Sequence, residues 1–176
     1  MLDYTKKDPV PFVATNAYYE LLFPGDSEAF IRLWASLDIA SVRRYKERTI
    51  AITASSFTSI PAFSQIRKAS KYTWELEMTC LQYDALRMED KLTAADDLLS
   101  QETQQYLVLY DHVTYVNVTE QPQYAGSVIT PEHNVVFEGF TYSFCAFNVF
   151  VESLELPSTA TNMNTRVPIS LIIKEV

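Results

Sequence analysis

Residues suited to chemistry are few: the chain holds 2 His and 2 Cys in 176 residues. His112 follows Asp111 and stands near Tyr110 and Tyr115, a grouping in which a carboxylate could orient an imidazole as a general base. Such a base needs a nucleophile to activate, and no nucleophile elbow or other Ser or Cys motif supplies one. His133 follows Glu132 beside Pro131 and reads as a solvated loop residue. A metal site joining both histidines to Asp96 and Asp97 would need a convergence that the spacing does not impose. Asp96-Asp97, Glu89-Asp90, and Glu75 with Glu77 read as solvated charge, because an acid-base dyad needs two carboxylates in contrasting environments. The chain has no phosphate-binding glycine loop, CxxC pair or zinc signature. The reading therefore names no catalytic, cofactor-binding or metal-binding residue, and no cofactor. Cys80, within an alternating apolar run, and Cys145, between Phe144 and Ala146, read as small buried hydrophobes.

A second group of side chains suits binding. Arg43-Arg44-Tyr45-Lys46 with Arg48, and Arg67-Lys68 with Lys71, interleave cations and aromatics as nucleic-acid surfaces do. Cations in such places also guard sheet edges or pair with acidic patches on another subunit. The balance of 14 Lys+Arg against 22 Asp+Glu gives a net charge of -8, which opposes general attraction to DNA or to an anionic membrane surface. Plain solvation is the bland alternative for these cations; where the chain assembles, Arg43, Arg44, Tyr45, Arg67 and Lys68 are the residues expected at subunit contacts.

The elements that must position these residues follow from periodicity. With 48% hydrophobic residues, 10 Phe, 11 Tyr and 2 Trp, the chain can bury a core without disulfide or metal staples. Pro9 and Pro11 favour an extended N-terminal arm over 1–12, leaving 13–176 as one β-rich domain. The absence of an apolar run after Lys6 and Lys7, or of any long enough to span a bilayer, predicts a soluble, unsecreted protein with no membrane partner. Asn117-Val118-Thr119 is then a chance tripeptide in a strand rather than a glycan acceptor. Phe30, Leu33, Trp34 and Leu37 fit the spacing of a helix capped by Asp26 or Ser27, with Arg32 facing solvent. Ile50, Ile52 and Ala54 alternate as a strand, and Ser55 to Ser70 reads as a long loop or irregular hairpin tip. Tyr72, Trp74, Leu76, Met78 and Cys80 alternate with Thr73, Glu75, Glu77 and Thr79, the clearest strand in the chain. Met88, Leu92, Ala95 and Leu99 mark a helix over roughly 86–103. Leu107 to Val118 reads as two short strands or one bulged strand, interrupted at Asp111-His112. Between Val135 and Leu156 the apolar phase changes, which predicts a bulge or bend near Cys145 that switches the inward face. A last strand carries Val167, Ile169, Leu171 and Ile173. The expected fold is mainly β (α+β): an antiparallel sandwich or barrel with one or two flanking helices, its core including Trp74, Leu76, Met78, Phe140, Tyr142, Phe144, Ile169 and Leu171.

The element order resembles that of phage tail-tube, tube-initiator and tail-terminator proteins. The end, Arg166-Val167-Pro168-Ile169-Ser170-Leu171-Ile172-Ile173-Lys174-Glu175-Val176, is similar to the closing strand of contractile-tail baseplate hub and tube-initiator proteins. The chain departs from that pattern in one place, since Met163 and Pro168 are not adjacent as the family's Met-Pro pair is. The resemblance implies a non-enzymatic structural protein of the virion tail, assembled in the host cytoplasm as a hexameric ring. Its partners would be copies of itself, neighbouring tail tube, hub or baseplate proteins, and DNA passing without specific binding. Net acidity with Glu75 and Glu77 on one strand face would let a duplex slide. A small monomeric ligand-binding domain with an aromatic interior is the alternative expectation.

Overall fold

Strand β6 (Lys71–Leu81) shows how alternation builds this molecule. Its inward residues Tyr72, Trp74, Leu76, Met78 and Cys80 are all buried, while Glu75, Glu77 and Thr79 point to the more exposed face. The C-terminal strand β10 (Arg166–Glu175) repeats the pattern in antiparallel register, setting Ile173 against Trp74, Leu171 against Leu76 and Ile169 against Met78. Two apolar stripes in register remove a continuous band of surface from water, and that burial drives the pairing. The computed structural model describes residues 17–23, 30–34, 39–47, 50–55, 62–67, 70–99, 106–156 and 162–176; side chains are described except at 30, 34, 47, 50–55, 62–67 and 96–99.

Around this centre β1 (Tyr18–Leu22), β2 (Phe30–Trp34), β3 (Ile39–Glu47), β7 (Leu107–Asn117) and β9 (Phe140–Glu155) complete an antiparallel sheet in the order β2-β1-β7-β9-β10-β6-β3. A short strand β8 (Val135–Phe137) pairs with β9, and β4 (Ile50–Ser55) pairs with β5 (Ala62–Arg67) as a separate hairpin. Helix α1 (Gln82–Leu99) follows β6 directly and adds Ala85, Met88, Leu92 and Ala95 to the core. The sheet cannot be flat. Four strand spacings, about 19 Å, would separate β3 from β7 in a flat sheet, yet Arg44 of β3 lies 3.2 Å from Asp111 of β7. The sheet curls into a half-barrel around the core, as a twisted sheet with a buried concave face does.

The mainly β, α+β expectation holds, and several element assignments change. The segment expected to be a helix from Phe30 is strand β2. Its Ile31 and Leu33 are buried opposite Leu21 and Tyr19, while Arg32 points to the other face. Arg32 is not solvated: it is 3% exposed and its Nη2 lies 2.9 Å from Glu20 across the strand pair. Leu37 lies outside the described residues. Within 55–70, expected as a long loop or irregular hairpin tip, β5 pairs with β4 in a regular hairpin that sets Ile50 opposite Arg67, in a sheet separate from that of β3 and β6. Helix α1 begins at Gln82, four residues before the expected start. β7 is one bulged strand, as one of the two alternatives had it, with register lost between Asp111 and Val116. The bulge in β9 falls at Glu152 rather than near Cys145: Ile173 pairs with Val151 and Ile172 with Ser153, so the inward set switches from Val149 and Val151 to Leu154 and Leu156. Near Cys145 both faces are buried, and Phe144 and Cys145 each have cover. Phe140 and Tyr142, expected in the core, are half-buried. Both cysteines are buried and neither is in a disulfide. The arm 1–12 lies outside the described residues.

Candidate functional site

The curl brings polar groups together on the concave side at the β3–β7 closure. Asp111, fully buried, faces inward because it continues the Leu107, Leu109 alternation and stands opposite Cys145. Its Oδ2 accepts from Arg44 Nη1 at 3.2 Å and from Trp74 Nε1 at 3.1 Å; its Oδ1 accepts from the backbone N–H groups of Val113 and Thr114 at 2.9 and 2.8 Å. Those two amides belong to the β7 bulge, so one carboxylate both shapes the bulge and anchors the closing arginine. Arg44 also donates to the carbonyls of Thr114 at 3.2 Å and Tyr115 at 2.7 Å. The edge strand β3 is thus joined to β7 by side-chain bonds where a ladder would close a full barrel. Burial raises the Asp111 carboxyl above the ordinary carboxylate range, and Arg44, Trp74 and the two amides pull it back.

One turn of the network further on, Lys46 donates to Gln121 Oε1 and sits over the rings of Tyr72 and Tyr124, 4.4 and 5.6 Å from their centroids. Tyr72 Oη donates to the same Gln121 oxygen at 3.1 Å, and Tyr124 Oη donates to Glu175 at 2.8 Å. Burial lowers the Lys46 ammonium, with Glu175 opposing that shift. Tyr72, Trp74, Tyr124 and Phe147 pack ring against ring at 4.9 to 5.8 Å. Here the aromatic interior is occupied by its own side chains. Cys145 lies beneath them with its thiol pushed up to about 11 by burial, a protonated group with no nucleophilic character at neutral pH.

The residues singled out from sequence separate in space. Arg43 and Arg44 are neighbours on β3 and point to opposite faces. Arg44 is spent inside. Arg43 is 72% exposed, with Glu75 at 3.4 Å and the Tyr45 ring 4.9 Å beneath its guanidinium. Tyr45 Oη donates to Glu75 at 2.8 Å, so Glu75 is partly neutralised and Glu77 alone of the pair stays exposed. Arg67 stands at the end of β5 opposite Ile50, and Lys68 lies outside the described residues. His112 does not receive orientation from Asp111, whose acceptor positions are filled as above; the imidazole sits on the other face against Tyr18 at 4.4 Å and near Phe144. His133 closes the short 3-10 turn Pro131–His133. Among the described residues no three His, Cys, Asp or Glu side chains form a metal-holding group.

Sequence reasoning missed the Arg44–Asp111 bond itself. The available signal was the phase break at Asp111, where a carboxylate falls on an inward position. The other missed feature is the β8–β9 hairpin, whose Val135, Val136 and Phe137 are 44, 71 and 61% exposed. Its turn, Glu138-Gly139, has φ of +50° and +81°, the left-handed pair that a two-residue hairpin requires. No family model matches the chain, and no curated protein matches it.

Proposed function

We propose that this chain is a non-enzymatic structural protein of a phage tail, a subunit of a six-fold ring in the tail tube or baseplate hub through which DNA passes. The observation that carries this reading is the division of labour between inside and outside. The ionisable groups described at the β3–β7 closure are spent on holding the sheet closed, while the surface offers unpaired strand edges and an ordered apolar hairpin. Catalysis needs polar groups held in reach of a substrate; assembly needs edges and apolar anchors. The β4–β5 hairpin, separate from the main sheet among the described strands, is a further element that suits contact with a neighbour. The assignment to a tail rests on the resemblance of the closing strand Arg166–Val176, now a central strand between β6 and β9. Net charge of -8 and the exposed Glu77 favour passage of DNA over its retention.

Light scattering on the purified chain over rising concentration tests the reading. A mass that climbs to a fixed multiple of 20.1 kDa, expected at six, supports it. A monomer that instead retains a small apolar molecule through purification contradicts it and favours the ligand-binding alternative.

A further inference from the structure

Towards its start β9 leaves β10 behind: Val176 still donates to the Asn148 carbonyl, Val128 and Ile129 meet Cys145 and Phe144, and residues 140–142 pair with β8, with β7 along the other side. This makes a three-stranded ribbon ending in the β8–β9 turn. Residues 134–139 are all exposed, and three of them are large apolar side chains in regular strand geometry. A hairpin that orders Val135, Val136 and Phe137 in water carries a standing cost unless something covers them.

The backbone has a free edge in the same place. Thr141 N–H donates to Thr119 Oγ1 and its carbonyl accepts from Val118 N–H, so both groups point toward β7. Val136, opposite Thr141, is therefore in a non-hydrogen-bonded pair with β9, and its own N–H and C=O face outward. The second such edge is β3, nine residues long and paired with β6 alone among the described strands. It exposes Ala40, Ser41, Val42 and Arg43, the last 72% exposed.

Charge selects the match. The hairpin is flanked by exposed Glu132 and Glu138, with Glu120 nearby on the ribbon, and no Lys or Arg lies between Asp111 and Arg166. Those carboxylates oppose an anionic lipid surface and a phosphate backbone. They suit a protein edge that offers an apolar side chain and a cation, which the β3 edge does with Val42 on one face and Arg43 on the other.

We infer that the β8–β9 hairpin of one copy docks on the β3 edge of the next, with Phe137 covering Val42 on one face of that edge and Val136 and Glu138 on the other face, where Glu138 faces Arg43. The contact joins two different surfaces, so it is head-to-tail, the kind that builds a ring where the rotation between copies closes. The inference rests on the ring reading above and names its contact.

The test measures the concentration for half-assembly by light scattering, with the melting temperature of each variant as a folding control. Val136→Asp with Phe137→Ser alters exposed side chains, so the fold is kept while half-assembly moves to about tenfold higher concentration or beyond. Glu138→Arg and Arg43→Glu each weaken assembly by placing like charges together, and the protein carrying both substitutions recovers to within about twofold of the original. Assembly unchanged by the hairpin variant, or a double reversal no better than its singles, overturns this contact and leaves the ring reading standing. An original protein that stays monomeric at every concentration overturns both.

Discussion

Arg43 and Arg44 are consecutive residues of one strand with opposite fates, and the difference separates what holds this protein together from what it presents. Arg44 points into the half-barrel, where its side chain is 12% exposed and Asp111 is wholly buried. Arg43 points out, 72% exposed, toward a Glu75 that is itself one-third exposed. The ion-pair distances, 3.2 and 3.4 Å, are nearly equal. Their energetic meaning is not, because water screens the outer pair and the inner one has no substitute for its partner. A strand edge can thus carry a structural cation and an available cation side by side. A second buried pair, Arg32 with Glu20, shows the same principle at the opposite end of the sheet, where β2 is fixed to β1.

The comparison breaks first at Asp111. Replacing it with Ala leaves Arg44 without its carboxylate, Trp74 Nε1 without an acceptor and the Val113 and Thr114 amides unpaired. The expected loss is about 3–5 kcal/mol in denaturant unfolding, and a loss below about 1 kcal/mol would mean that the closure does not hold the sheet. The same interior sets a pH response. Burial raises the Cys145 thiol to about 11 and raises the Tyr19 and Tyr124 hydroxyls above their ordinary value, so the folded chain keeps protons that the unfolded chain releases. The Cys145 part is fully present below pH 9 and is lost as pH rises through 11, and the two hydroxyls extend the loss to higher pH. The melting temperature should fall over that window, and Cys145→Ala should flatten the fall; a melting temperature that rises there contradicts the assigned burial. The smallest effect belongs to the outer pair: Arg43→Ala should cost about 0.2–1 kcal/mol, measured beside Asp111→Ala under the same conditions. Equal losses at the two sites would erase the distinction.

The same contrast explains what could be read from the sequence. β6 and β10 are legible because their inward positions are all apolar and their outward ones are not. β3 is not, because its inward positions are Val42, Arg44 and Lys46, and two cations on the concave face hide the period of two that hydrophobicity would show. β2 is misleading because Phe30, Leu33 and Trp34 satisfy helical spacing while Ile31 and Leu33 satisfy strand spacing; only the pairing of Arg32 with Glu20, twelve residues away, decides between them. The bond from Arg44 to Asp111 spans 67 residues and exists because the sheet curls. No local pattern encodes that curl. The run Val135-Val136-Phe137 is visible in the sequence, but its exposure is not, because exposure depends on which neighbours β9 has there.

The central claim is that the outer surface serves assembly. Electron microscopy of the purified chain at rising concentration tests it most directly: closed rings of six subunits around a central lumen are the predicted result. Compact monomers that persist at the highest concentration, or open aggregates without a lumen, would contradict it.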